Sequence, residues 1–527
     1  MSILTYISGW PLLAALVLVL VPGNYRVIIR SVALLATFIS MALAVDMFCN
    51  FQTGQNGFQF EQQIPWVQSL GISYHVGVDG LNVGLILMGA VVGFAATCCS
   101  WEIQKREKEF YILLLLMTGG ILGAFASLDL FCFYFLHELA LVPTFIMIGV
   151  WGRGERKNYA TFQITLYLSV GALIALIGLI ALYVQLGAHT FDLPALITYA
   201  KDPQHALAVQ AQNFIFPLLL FGFGILVSLW PFHSWAPLGY GSAPSPTAML
   251  HAGVLKKFGL YGLIRIALPL LPDAAKSWVP VIAWLAIGNI LYVGWVAMRQ
   301  RNLNLLIGNS SVAHMGFIFL GIASLNLIGL TGAVLIMVAH GFLAALSFGL
   351  SGYLYSKAGT LEMSELGGLC RKLPFIGTAL LMAAMAGCGL PGFANFAGEA
   401  TVFFGVWSRP ALHLTTVLAV WGALVIGGVY MTRMVRQVLH GPLPERWNQL
   451  PDAANLWRRL PYLLLLAGLL VFGCWPKLLT DKIAHDMQPL IPVAGNTVSV
   501  VEHKFVAAPG DGRAPLAIAE FTLNTPD

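Results

Sequence analysis

Fourteen stretches of mostly apolar residues follow one another along this 527-residue chain. Each is long enough to cross a hydrocarbon layer of about 30 Å as a helix. In the first half they cover residues 3–21, 27–49, 79–99, 110–127, 129–151, 160–186 and 213–233. In the second they cover 243–268, 278–298, 305–323, 328–355, 374–407, 414–439 and 459–476. Lipid offers no water to exposed amides, so each crossing must satisfy its own backbone, and a helix does this within one segment. The expected fold is therefore all-α, a polytopic membrane protein with about 14 transmembrane helices and short loops. Hydrophobic residues make up 58% of the chain and charged ones 10%, against roughly 25% charged in a soluble domain. That balance leaves no room for a sizeable water-soluble domain.

Charge placement predicts the orientation. The first apolar run has no Lys or Arg ahead of it, and Arg26 and Arg30 follow it. It reads as a membrane helix with its N-terminus outside rather than as a cleaved leader. Threading the chain from there puts Arg26, Arg30, Lys105, Arg106, Lys108, Arg153, Arg156 and Lys157 on the cytoplasmic side. Arg299, Arg301, Lys357, Arg371, Lys372, Arg433, Arg436, Arg446, Arg458 and Arg459 join them. The opposite loops hold only Lys201, Lys276 and Arg409. This asymmetry is the positive-inside pattern and supports that topology. Three cations remain inside apolar runs, Lys256, Lys257 and Arg265, of which Arg265 is close enough to an end to snorkel.

Several chemistries are absent. The seven cysteines include no Cys-x-x-Cys pair, so zinc or iron–sulfur ligation by this chain is not expected. No Gly-x-Gly-x-x-Gly or P-loop signature suggests a nucleotide, and the net charge of +5 resides in loops and implies no nucleic acid.

Two runs carry breakers in corresponding halves: Pro231 in "LVSLWPFHSWAP" of the seventh, and Pro391 in "GCGLPGFANFAGE" of the twelfth. Proline removes an amide donor, which a membrane tolerates only where protein or water takes the freed groups. Paired interruptions are a sign of a transporter built from inverted repeats.

The remaining signal is a set of titratable residues inside these runs. Glu138, beside His137, lies mid-span, where a charge costs roughly 2.5–3.5 kcal/mol on insertion scales and so demands a partner. Lys256 and Lys257 follow His251; neighbours on a regular helix point about 100° apart, so the two lysines cannot share one partner. One is expected to face Glu138 and the other the middle of the bundle. His233, His314 and His340 fall in the seventh, tenth and eleventh runs, and Glu399 follows the break in the twelfth. Glu, Lys, His, His, Glu is the chemistry of a proton pathway; no Ser/His/Asp set accompanies it.

The segments "YHVGVDGLN", "HELALVPTFIMIGVWG", "PFHSWAP", "LHAGVLKKFGLYGLIR", "SSVAHMGF", "VAHGFLAALSFGLSGYLY" and "ANFAGEATVFFG" carry a resemblance from about residue 70 to 440. They resemble the proton-pumping subunits of respiratory NADH–quinone oxidoreductase (complex I), in the branch of subunit M. The resemblance implies fourteen helices with two inverted five-helix repeats and broken helices 7 and 12. On this chain the repeats would span 110–268 and 278–440, with 1–109 ahead of them and a last helix and tail over 441–527. It implies proton-path roles for Glu138, Lys257, His314, His340 and Glu399. It also implies that FMN, iron–sulfur clusters and quinone belong to partner subunits, with neighbouring membrane-arm subunits and the lipid bilayer of a bacterial inner membrane around this one. One departure stands out. The family's lysine on the broken seventh helix falls on Leu226, which cannot titrate. Lys256 or His251 on the adjacent helix is the expected substitute. Two rivals remain: a subunit of a Mrp-type cation/proton antiporter or membrane-bound hydrogenase, and a structural membrane-arm subunit that does not pump.

Overall fold

The computed structural model describes residues 1–55 and 57–491; the rest of the tail lies outside the described residues. Twelve helices among these are long and apolar enough to cross a membrane. The first group is α1 (Ile3–Leu20), α2 (Arg26–Asn50), α3 (Val83–Cys99), α4 (Glu107–Ala126), α5 (Leu130–Trp151) and α6 (Lys157–Leu186). A short helix α7 (Leu193–Lys201) precedes α8 (Val209–Val227) and α9 (Trp235–Ser242). The chain continues through α10 (245–270), α11 (Val279–Arg299), α12 (Leu303–Ala323) and α13 (Leu327–Ala358). It closes with α14 (Pro374–Gly387), α15 (Ala394–Trp407), α16 (Pro410–Val438), α17 (Leu456–Cys474) and α18 (Lys477–Met487).

The two apolar runs not represented among the twelve are interrupted ones. α10 is divided by π-helical turns at His251–Leu255 and Leu263–Ala267. The twelfth run is cut into α14 and α15, with Gly389 at φ +65° and Gly392 at φ +99° on either side of Pro391. The nearly continuous stretch 110–151 resolves into two helices because Asp129 caps α5, accepting from the Phe131 and Cys132 amides. The Asp129 carboxylate also accepts the Ser73 amide, at 2.9 Å. This ties α5 to a hairpin that apolar periodicity did not foresee, β1 (Gln59–Val67) paired antiparallel with β2 (Ile72–Val78).

Burial sorts the helices into centre and rim. The apolar windows of α13, α12 and α3 are 100%, 94% and 83% buried, whereas those of α1, α2 and α17 are 39%, 33% and 28%. All are similarly apolar, because lipid tails demand of a rim helix what packed neighbours demand of a central one. α10 has no long lipid-facing stripe; from Ser245 to Leu268 every residue is buried. Its lysines therefore point into protein.

Arg265 does not snorkel. It is 2% exposed, and its two terminal nitrogens each donate to the Asp79 carboxylate, at 2.5 Å. The fork geometry of a guanidinium on a carboxylate makes this a strong bidentate pair, and it fastens α10 to the turn that starts α3.

Candidate functional site

Both breaks carry their proline at the exposed end of the interruption, while the helix ends that flank it stay buried. α8 ends at Ser228, whose φ is +70°, and Pro231 carries no amide hydrogen. The freed groups are taken by one side chain. Asn289 of α11 accepts the Trp230 amide at 2.6 Å and donates to the carbonyls of Ser228 at 3.1 Å and Val312 at 2.9 Å. Trp235 adds a bond from its indole nitrogen to the Ile225 carbonyl, 3.2 Å. A lone amide in an otherwise apolar run, opposite a predicted break, was the available signal for Asn289.

Beyond this clamp the titratable residues separate into a connected row and an unconnected group. The row starts at Lys257, fully buried, whose Nζ donates to the Ala252 carbonyl at 2.7 Å and lies 2.8 Å from His340 Nδ1. The π turn makes the first contact possible, since it leaves the Ala252 carbonyl five residues back within reach of the side chain. His340 and His314 have ring centroids 5.4 Å apart. His314 Nδ1 is 2.7 Å from the Ser310 carbonyl. A carbonyl only accepts, so Nδ1 carries the hydrogen and the neutral ring keeps its lone pair on Nε2. That Nε2 is 3.8 Å from Glu399 Oε1. Lys257, His340, His314 and Glu399 thus come from four separate crossings to form one file.

Glu399 sits against the broken span. A side chain at Gly389 would place its Cβ 2.6 Å from Glu399 Oε2, so the left-handed glycine makes room for the carboxyl. Beside Glu399 and His314 lies a small cavity, with room for about one water molecule. Its other walls include Ile290 and Ala423, from the π turns of α11 and α16 that pack on each other, and Tyr430 just beyond the second turn.

The other predicted residues stand apart from this file. Glu138 meets neither lysine: its nearest ionic contact is His137 Nδ1 at 3.4 Å, and its side chain is 32% exposed on the flank of α5. His137 is buried and stacks on Phe258, centroid to centroid 3.7 Å. His233 sits in the loop of the seventh-span break, against Tyr292. Lys256 points to α12, 3.4 Å from both the carbonyl and the hydroxyl oxygen of Ser311, and His251 packs between Trp235 and Tyr240. Ser311 and Tyr240 were not singled out in the sequence; their place emerges only from packing.

A polytopic bundle with two interrupted crossings and a buried file of ionisable groups between them is built in the manner of a secondary transporter. The chain belongs to the NADH:quinone oxidoreductase/Mrp antiporter transmembrane family, whose pattern matches residues 127–426. It is 36% identical over 509 residues to an NAD(P)H-quinone oxidoreductase chain 4 of Picosynechococcus sp., covering 93% of each chain. It superposes on a chain of respiratory complex I from Thermus thermophilus with TM-score 0.83 and 26% identity, covering 93% of this chain and 99% of that one. It shares its fold with a chain of the Mrp complex from Dietzia sp., TM-score 0.81 at 20% identity, covering 93% and 98%.

Proposed function

We propose that this chain is a proton-translocating membrane-arm subunit of a bacterial NAD(P)H–quinone oxidoreductase, set among neighbouring antiporter-like subunits in the inner membrane. The observation that carries this reading is the Lys257–His340–His314–Glu399 file. When charged, Lys257 donates to His340 Nδ1 and can pass its proton along that bond. The proton would cross from His340 to His314, whose rings are 5.4 Å apart, and the small cavity lined by His314 and Glu399 has room for about one water to carry it on. Redox energy from partner subunits, which would carry FMN, iron–sulfur clusters and quinone, reaches the file as a change in electrostatics or hydration. The paired breaks support two inverted repeats, over 110–268 and 278–440.

The measurement is donor-driven proton uptake by inside-out membrane vesicles holding the assembled complex. Lys257→Ala, His340→Ala and Glu399→Gln should each keep NAD(P)H oxidation but lose most of the uptake assigned to this subunit. Uptake at the parental level in all three would overturn the pathway. A sodium-dependent flux without donor oxidation would favour a cation/proton antiporter instead.

A further inference from the structure

Lys256 has no part in the file just described, yet it is 1% exposed. Its ammonium has three hydrogens to place, and its protein oxygens are the two on Ser311, both at a long 3.4 Å. Near it are two buried polar atoms with no protein partner, the Tyr240 hydroxyl and His251 Nδ1, and a third, Asn304 Oδ1, lies farther off at the start of α12. Tyr240, His251 and Asn304 are 0%, 1% and 3% exposed. Nine in ten or more buried polar groups in folded proteins have a partner, and ordered water is the ordinary partner of those that protein leaves unpaired.

The orphans are arranged in sequence. Asn304 lies beside Arg299 and Arg301 at the arginine-rich face, where α9 packs on the same end of α12; a Cβ at Gly241 would lie 2.9 Å from Leu305. The Tyr240 and His251 rings meet at 5.3 Å and 76°, and Lys256 Nζ stands 5.6 Å over the Tyr240 ring. The π turn sets this up. The Lys256 amide bonds the His251 carbonyl five residues back, which brings the two side chains closer to one face than a regular helix would. The other titratable groups close enough to feel the Lys256 charge are Lys257, His233, His251, His314 and His340.

We propose that Lys256 is a second proton carrier, loaded from the arginine-rich face through water held by Asn304, Tyr240 and His251. A proton arriving on Lys256 Nζ creates a like charge beside Lys257 and drives the Lys257 proton onto His340 Nδ1. No bond other than N–H and O–H bonds changes, and the protons balance. The handover rests on the proposed Lys257–Glu399 pathway; the loading route does not.

The test uses the assembled complex in inside-out vesicles, with proton uptake per donor oxidised, assembly on native gels and the pH profile of uptake. Lys256→Met and Lys256→Arg should each lose uptake to the extent that Glu399→Gln does, with oxidation kept. Lys256→His, which still titrates, should restore part of it with a shifted pH profile. Parental uptake in Lys256→Met would overturn the proposal by showing that the amine is dispensable. Full rescue by Arg would overturn it by showing that only a fixed charge is needed. Should Lys256→Met fail to assemble, Tyr240→Phe decides, since it removes a hydroxyl that bonds no protein atom: lowered uptake supports the inlet, and parental uptake sinks it. If Glu399→Gln blocks uptake and these variants do not, only Lys256 is dismissed. If Lys257→Ala, His340→Ala and Glu399→Gln all pump normally, the pathway itself fails.

Discussion

Lys257 and Lys256 are adjacent in the chain, yet one bonds His340 on α13 and the other rests against Ser311 on α12. What each can do is set by these partners rather than by residue type. The same holds at Gly389, where φ is +65° and a Cβ would press on the Glu399 carboxyl. Gly389→Ala should cost about 1–2 kcal/mol of backbone strain and displace Glu399, lowering proton uptake. Gly392→Ala, at φ +99° with open space around it, should cost comparable strain and leave uptake intact. Equal uptake in the two variants would remove Gly389 from the site. Arg265 supplies a purely structural case. Arg265→Met strands a buried Asp79 carboxylate and should lower stability by about 3–5 kcal/mol, read as thermal unfolding in detergent. Asp79→Asn added to it should recover part of the loss.

At the scale of elements, the seventh-span break is held by Asn289, which replaces the helical hydrogen bonds that Ser228 and Pro231 forfeit. Asn289→Leu keeps the volume and leaves the Trp230 amide and the Ser228 carbonyl without their partner, at about 1–3 kcal/mol for each group. Faster amide exchange confined to α8, α9 and the loop between them is the expected reading. The β1–β2 hairpin is held differently. His75 is buried with Nδ1 2.5 Å from Asp192 and Nε2 2.7 Å from Glu61. Both nitrogens must donate, which only the imidazolium does. Burial opposes that charge, but the two carboxylates outweigh it and hold the His75 pKa above its ordinary value. A raised folded pKa contributes stability that is fully present below the unfolded value of about 6.5 and is lost as pH rises through the folded value. Hairpin protection in hydrogen exchange, corrected for intrinsic rate, should therefore fall from pH 6 to 9, and His75→Leu should abolish the dependence. Protection that grows with pH would contradict the clamp.

For the whole molecule, the two loop faces differ in charge and in construction. One collects most of the loop arginines and lysines; the other carries the hairpin, α7 and α18, with the Gly80 amide bonded to Asp486 at 2.6 Å. Single cysteines at the exposed positions Glu155 and Gln204 test the orientation. Above the native background, an impermeant maleimide should label Glu155→Cys only in inside-out vesicles and Gln204→Cys only in right-side-out ones. The reverse pattern would invert the topology and the direction of proposed proton flow.

The crossings, the two breaks and the charge asymmetry were legible in the sequence, because lipid imposes length, apolarity and sidedness on each segment independently of its neighbours. Membership of the antiporter-like family was legible too, in motifs that recur in order. What the sequence could not decide is which buried groups touch. It placed Glu138 opposite a lysine and let Arg265 snorkel. Packing instead left Glu138 on the flank of α5 and gave Arg265 to Asp79, 186 residues away. The His340–His314–Glu399 file, the Asn289 clamp and the unpartnered cluster around Lys256 likewise depend on contacts between helices distant in the chain. Such contacts follow from how whole helices interlock and where π turns re-aim their side chains, and no local pattern of residues carries that information.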